Sequence, residues 1–234
     1  MVRLPYDCHS GLSHRRVRPL LPVAGARRGA PRRRALAPVL GDRRQPLGGH
    51  RRPEPGYANL GWAERVADLL RRVHPDLAYL NIAEIGATTA RTLATQADRM
   101  LAFGPDLVHV PCGANDLFHP EPDFTTIEQT LRRVFELAAG TGAQLTTFTL
   151  GKAFVVPKFP DWPDRVRKLN AITRVLAADH DAVLVDMWDH PLNSRPDLLS
   201  ADRIHFSTSG QAVMAAEVVK GLAAVLNTNQ GNIA

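Results

Sequence analysis

From Tyr57 onward, segments with helical periodicity alternate with short apolar runs rich in β-branched residues. NLGWAERVADLLRRV spaces its apolar residues three and four apart with charges between them, and the strand-like run LAYLNIA follows it. The alternation continues through TTARTLATQADRML, DLVHVPCG, TIEQTLRRVFELAAG, AQLTTFTLG, DRVRKLNAITRVLAADH, AVLVDMW and SGQAVMAAEVVKGLAAVL. Because strands joined by helices pair in parallel and are covered on both faces, the pattern predicts a three-layer α/β/α sandwich with a parallel sheet.

The first 56 residues differ in composition from the rest of the chain. They hold thirteen arginines, no lysine and three acidic residues, a formal charge of +10, whereas the remaining 16 basic and 20 acidic residues give −4. The net charge of +6 therefore comes from the leader alone. We expect an Arg/Pro-rich irregular leader at 1–34, a folded domain at 35–228 and a tail at 229–234.

Cysteine usage and hydropathy exclude several classes of protein. Cys8 and Cys112 are too few for a disulfide framework and show no C-x-x-C spacing. No apolar stretch approaches the roughly 18 residues of a membrane span. RRVRPLLPVAGARRGA imitates a twin-arginine signal, but its apolar part is short and is interrupted by Pro22. The sequence favours a cytoplasmic protein, leaves secretion open because the leader is anomalous, and does not indicate an oligomeric state.

Three polar groups follow strand-like runs, where parallel sheets bind ligands. In NIAEIGATTA, Gly86 allows a backbone N–H to approach a substrate closely. In GANDLF, Gly113, Asn115 and Asp116 are either plain turn residues or, through the Asn115 amide, donors to an oxyanion. Gly86 and Asn115 together are candidates for an oxyanion hole.

The third group, DRIHFSTSG, precedes the last helix and places Asp202 three residues before His205. One interpretation is an exposed loop pair, with Ser207 or Ser209 capping the helix. The other is that Asp202 orients the imidazole through Nδ1 while Nε2 of His205 takes a proton from a nucleophile.

NIAEIG, GANDLF and DRIHFSTSG, in this order, resemble the blocks of the SGNH hydrolase family, also called GDSL-type esterases and lipases, over residues 57–227. The resemblance implies a flavodoxin-like sandwich with a five-stranded parallel sheet, and hydrolysis of a small carboxylic ester through an acyl-enzyme. It implies no metal and no organic cofactor. It assigns Gly86 and Asn115 to the oxyanion hole and Asp202 and His205 to a catalytic triad, with Gly113 and Asp116 in support.

The sequence departs from that family at the first block, where the family carries Gly-Asp-Ser with the serine as nucleophile. Here Gly41 and Asp42 are followed by Arg43, which has no hydroxyl and cannot form an acyl-enzyme. The first strand and nucleophile block, at 35–56, are therefore degraded. Pro38 also makes ALAPVL a poor strand, so if it pairs we expect Pro38 at a bulge or a strand end.

Three hypotheses account for the leader. An Arg-rich arm for nucleic acid is disfavoured because the leader has no lysine and only Tyr6 as an aromatic residue. A pseudoenzyme would bind ester-like ligands without turnover. The hypothesis we favour is an out-of-frame reading of a GC-rich gene: HRRPEPG, with one choice of codons read one base later, encodes Ile-Gly-Asp-Pro-Ser-Pro-Gly, which resembles the loop after the nucleophile in bacterial relatives.

Apolar residues near the predicted site suggest an acyl or aglycone pocket. They include the LFHP segment at 117–120 and the aromatic residues Phe154, Phe159 and Trp162 of a Pro-rich loop. A simple core role for the aromatic residues is the alternative. The sequence is compatible with lipid, acetylated sugar and thioester substrates.

Overall fold

The computed structural model describes residues 34–37 and 54–231 of the 234-residue chain. Within them the strands are β1 (Arg34–Ala37), β2 (Ala78–Asn81), β3 (Leu107–His109), β4 (Gln144–Phe148) and β5 (Val183–Val185). The helices are α1 (Trp62–Val73), α2 (Thr89–Thr95), α3 (Ala97–Phe103), α4 (Phe124–Gly140), α5 (Trp162–Asp179) and α6 (Thr208–Gly231), with 3₁₀ helices at Ala114–Phe118 and Pro191–Ser194.

The strands form one sheet in the order β2-β1-β3-β4-β5, and every neighbouring pair is parallel. This is the strand order of flavodoxin-like sheets. The predicted α/β fold with a parallel sheet is confirmed. β1 pairs with β2 from Arg34 opposite Ala78 to Ala37 opposite Asn81, and ends one residue before Pro38. The carboxyl end of β1 therefore lies between the loops that follow β2 and β3.

Two hydrophobic clusters cover the two faces of the sheet. On one face α1 and α6 pack together, with Trp62 and Val66 of α1 against Met214 and Val218 of α6. The other face carries α4 and α5, and its cluster includes Leu131, Phe135, Val166, Leu176 and the strand residues Val108 and Leu145. Helices on both faces give the three layers that the alternating pattern predicts.

A buried histidine lies on the α1 face of β3. His109 packs edge-on against the Trp62 ring, 4.6 Å between centroids, and beside Phe148. Its Nδ1 lies 2.6 Å from Thr146 Oγ1, and its Nε2 has no hydrogen-bond partner among the described residues. Burial lowers the pKa of His109 to about 3, so the imidazole is neutral at physiological pH.

Two elements differ from their sequence patterns. The segment 88–101, expected as one helix, forms α2 and α3 with a break at Gln96. Thr95 donates its hydroxyl to the carbonyl of Arg91 at 3.0 Å, a back-bond that bends helices. At the other end of the chain α6 continues to Gly231, which lies within the expected tail.

Candidate active site

The loop after β2 carries Gly86 at the carboxyl edge of the sheet. Asn81, the last residue of β2, accepts the Ala83 N–H on its side-chain oxygen, and Ala87 N–H donates to the Glu84 carbonyl, which closes a turn. Gly86 has φ of +73°, in the left-handed region that favours glycine, and no other atom lies where a Cβ would be. This turn brings the Gly86 backbone to the wall of a cavity.

The 3₁₀ helix after β3 holds Asn115 and Asp116 against the loop that contains Gly86. Asn115 Nδ2 donates to the Ala87 carbonyl at 2.9 Å. Asp116 accepts the backbone N–H and the hydroxyl of Thr89, both at 2.8 Å. The two predicted oxyanion groups therefore lie on neighbouring loops that are hydrogen-bonded to each other.

Gly113 begins this 3₁₀ helix in a conformation that a side chain would strain. Its φ is +112°, and a Cβ there would lie 2.6 Å from Leu169 Cδ1 on α5. Glycine is needed both for the backbone angle and for the close approach of α5. The supporting role of Gly113 in the site stays a prediction, whereas the need for glycine at this position has a steric reason.

Asp202 and His205 lie in a tight loop that an antiparallel bridge between Leu199 and Phe206 closes, just before α6. His205 Nδ1 lies 2.7 Å from Asp202 Oδ2. The other carboxylate oxygen, Oδ1, accepts the N–H groups of Ile204 and His205 at 2.9 and 3.0 Å and the Ser200 hydroxyl at 2.6 Å. The carboxylate is therefore fixed by four donors.

These hydrogen bonds determine the charge of Asp202 and the tautomer of His205. Burial opposes ionisation, but the donors from His205, Ser200 and Ile204 outweigh it and hold the pKa of Asp202 below its usual range. An ionised carboxylate only accepts hydrogen bonds, so Nδ1 of His205 carries the hydrogen. Nε2 is then the nitrogen that can take a proton from a nucleophile.

The serines after His205 have structural partners. The Ser207 hydroxyl accepts the Gly210 N–H at 2.9 Å and so caps α6, as one interpretation of the sequence expected. The Ser209 hydroxyl donates to the Asp197 carbonyl at 3.0 Å.

Gly86, Asn115 and His205 line one cavity of about 170 Å³. Its walls are mostly apolar, and the predicted residues Phe118, Phe154 and Trp162 belong to them. Phe159 does not line the cavity; it packs behind the wall with its ring 6.2 Å from that of Trp162. Glu64, Asn81, Glu84 and Gln211 also line it, so the cavity combines a limited set of polar groups with mostly apolar walls, the usual arrangement of small-molecule sites.

Several cavity residues were not predicted from the sequence. Trp62, Ile85, Phe148 and Phe206 also line the walls, and Phe206 packs edge-on against Phe154 at 5.3 Å. Phe206 follows His205 directly, and Ile85 precedes Gly86, so both positions adjoin predicted residues. Ser200, which donates to Asp202, lies two residues before it and gives no signal by itself.

Asp42 and Arg43, the predicted nucleophile block, lie outside the described residues. The structure does describe β1, which lies between β2 and β3, so its last residue, Ala37, lies between the strands that lead to the Gly86 loop and to the Asn115 helix.

Among the residues that the structure describes, no group of three or more His, Cys, Asp or Glu side chains has the arrangement of a metal site. No helix in the described ranges is long and apolar enough to cross a membrane.

Solved structures with this fold include several esterases. Esterase EstA from Pseudoalteromonas sp. is 18% identical with a TM-score of 0.58, over 71% of this chain and 88% of that one. A variant of the acetyl-xylooligosaccharide esterase Axe2 from Geobacillus is 19% identical with a TM-score of 0.62, over 81% and 93%. The lipase/acylhydrolase from Enterococcus faecalis is 22% identical with a TM-score of 0.55, over 66% and 83%.

At the sequence level, a search of curated proteins gave no match. The model of the GDSL-like Lipase/Acylhydrolase family matches residues 48–213. This range contains Gly86, Asn115, Asp202 and His205 and begins downstream of Arg43. Family match and fold agree with the expected SGNH blocks, and the chain belongs to the GDSL-like lipase/acylhydrolase family.

Proposed function

We propose that this site hydrolyses carboxylic esters through an acyl-enzyme when a serine occupies the position of Arg43. The observation that carries the proposal is the Asp202–His205 pair at 2.7 Å, whose imidazole lines the same cavity as Gly86 and Asn115. These are the base, the orienting carboxylate and the oxyanion donors that acyl transfer requires.

In the proposed mechanism a serine hydroxyl attacks the ester carbonyl carbon, and His205 Nε2 takes its proton. The carbonyl oxygen becomes an oxyanion that accepts hydrogen bonds from the Gly86 N–H and the Asn115 amide. The C–O bond to the alcohol then breaks, and His205 returns the proton to the leaving oxygen. Water, activated by the same imidazole, hydrolyses the acyl-enzyme and regenerates the serine.

The substrate class is argued from the cavity walls. Phe118, Phe154 and Trp162 present ring surface to the interior, and Ile204 and Val156 add aliphatic surface. Burying an apolar group there is favourable at roughly 25 cal/mol per Å² of apolar area. We therefore assign the cavity to an apolar acyl or alcohol group of a small ester.

A second function is supported by Arg43 itself. Loss of the nucleophile from a serine protease lowers kcat by roughly 10⁶-fold, and what remains comes from binding and the oxyanion hole. A chain that carries arginine at this position would bind esters in the cavity without turning them over. The unaltered chain would then be stabilised against thermal unfolding by an ester that it does not hydrolyse.

The test compares the unaltered chain with Arg43→Ser on short-chain p-nitrophenyl esters. We expect turnover in Arg43→Ser and only background release in the unaltered chain. In the Arg43→Ser background, Asn115→Ala should lower kcat by about 10²- to 10³-fold, and His205→Ala should abolish turnover. Undiminished activity in both double variants would refute the assignment.

A further inference from the structure

The strongest unexplained feature is a buried arginine on the first turn of α5. The Arg165 side chain is 8% exposed, whereas Asp161, its ion-pair partner at 2.8 Å, is 56% exposed. The guanidinium also lies 4.4 Å from the centre of the Phe159 ring. Burying a charge in this way is costly unless many hydrogen bonds compensate it. Its function in the fold should therefore be found in its other partners.

Those partners are three carbonyls of one short segment. Arg165 Nη1 donates to the carbonyls of Leu117 at 2.8 Å and His119 at 2.6 Å, and Nη2 donates to that of Pro120 at 2.7 Å. These carbonyls lie at and just after the end of the 3₁₀ helix Ala114–Phe118, where a helix has no internal partners for them.

The same 3₁₀ helix carries Asn115. Near its start the helix is held by two hydrogen bonds: Asp116 accepts the Thr89 N–H, and Asn115 donates to the Ala87 carbonyl. At its end, Arg165 supplies three hydrogen bonds across 45 to 48 residues of sequence. Removing them would leave the buried Leu117 carbonyl and two part-buried carbonyls without these donors, and one end of the helix unfixed. Both ends of the helix that carries Asn115 are therefore hydrogen-bonded to other elements.

The geometry requires a guanidinium rather than any cation. Nε, Nη1 and Nη2 donate in one plane to four acceptors, one carboxylate and three carbonyls. A lysine has three donors on a single nitrogen and cannot span these positions. Arg165→Lys is therefore an informative replacement, because it keeps the positive charge and loses the planar set of donors.

We propose that Arg165 is a positioning residue for the oxyanion hole: it holds the 117–120 segment so that Asn115 points into the cavity. The proposal rests on the proposed function, because Asn115 matters to catalysis only if the site forms an oxyanion. Arg165 would position part of the cavity wall as well, because Phe118 belongs to the 117–120 segment, and its ring centre lies 5.0 Å from that of Trp162 on the same turn of α5.

The first test needs no activity and uses the full, unaltered chain as the parent. Hydrogen–deuterium exchange is compared for Arg165→Lys and for the control Arg132→Lys, which alters an exposed arginine paired with Glu128 and Asp179. We expect faster exchange in peptides covering 114–121 for Arg165→Lys only, with unchanged exchange in β4. Unchanged exchange in 114–121 would overturn the proposal.

The second test uses Arg43→Ser as an active parent. Arg165→Lys should lower kcat roughly ten- to hundredfold with a smaller change in KM, because a misdirected donor weakens transition-state binding. In the Asn115→Ala background the same substitution should have little further effect. An equal fall in kcat with and without Asn115 would indicate general destabilisation and overturn the proposal. An inactive Arg43→Ser parent would refute the proposed function, and the exchange result alone would then decide the positioning of the segment.

Discussion

The protonation state of individual side chains in this protein depends on the hydrogen-bond donors and acceptors around them. Asp202 is only three residues from His205, yet its ionisation depends on Ser200 and on two backbone N–H groups as well. The D-x-x-H spacing predicts the Asp202–His205 pair, and the tight loop between the two residues brings the carboxylate within 2.7 Å of the imidazole Nδ1. The Ser200 donor was not predicted because nothing in sequence separates it from an ordinary loop serine.

His109 gives a prediction about pH. Its pKa is about 3 in the folded protein against an ordinary 6.5, so between these values the unfolded chain binds a proton that the folded chain does not. The stability that neutral His109 contributes is complete above pH 6.5 and is lost as pH falls, at about 1.4 kcal/mol per pH unit. Between pH 7 and pH 4.5, the free energy of unfolding measured in urea should fall by about 2–3 kcal/mol more for the parent than for His109→Leu. Equal falls would contradict the assignment of a neutral buried imidazole.

For helices and strands, the local sequence pattern predicts that an element exists better than it predicts where the element begins and ends. Helical spacing alone is enough to predict α1, and the structure adds a cap, because the Glu64 side chain accepts the Gly61 N–H at 2.9 Å. The break at Gln96 was missed, and the Thr95 back-bond alone does not explain it, because Thr130 and Thr173 make the same bond inside the continuous helices α4 and α5. Arg165 was missed because its partners lie 45 to 48 residues away.

The turn into the Asn115 helix can be tested with two glycines. Gly113→Ala places a methyl group 2.6 Å from Leu169 in a strained backbone conformation, so we expect a loss of about 2–4 kcal/mol in the free energy of unfolding. Gly140→Ala, in α4 with open space around its Cβ position, is the control and should be neutral or stabilising by about 0.5–1 kcal/mol. Similar values for the two variants in urea unfolding would contradict the steric account of Gly113.

For the whole molecule, the sheet order explains why residues far apart in sequence share one cavity. β2 and β3 flank β1, so the loops after β2 and β3 meet at one edge of the sheet, and α6 packed on α1 brings His205 to the same place. The alternation of helices and strands was sufficient to predict this class of fold. The apolar walls were predicted only in part, because Trp62 and Phe148 face the cavity through packing between distant elements.

The central claim is the proposal that Gly86, Asn115, Asp202 and His205 form an ester-hydrolysis site that becomes active once a serine stands at position 43. A fluorophosphonate probe tests it directly, since an activated serine displaces fluoride and retains the phosphonyl group. Intact mass and peptide mapping should find one adduct at position 43 in Arg43→Ser. The unaltered chain should carry no adduct, and Arg43→Ser combined with His205→Ala should carry almost none. An unlabelled Arg43→Ser chain, or labelling that does not depend on His205, would contradict the account.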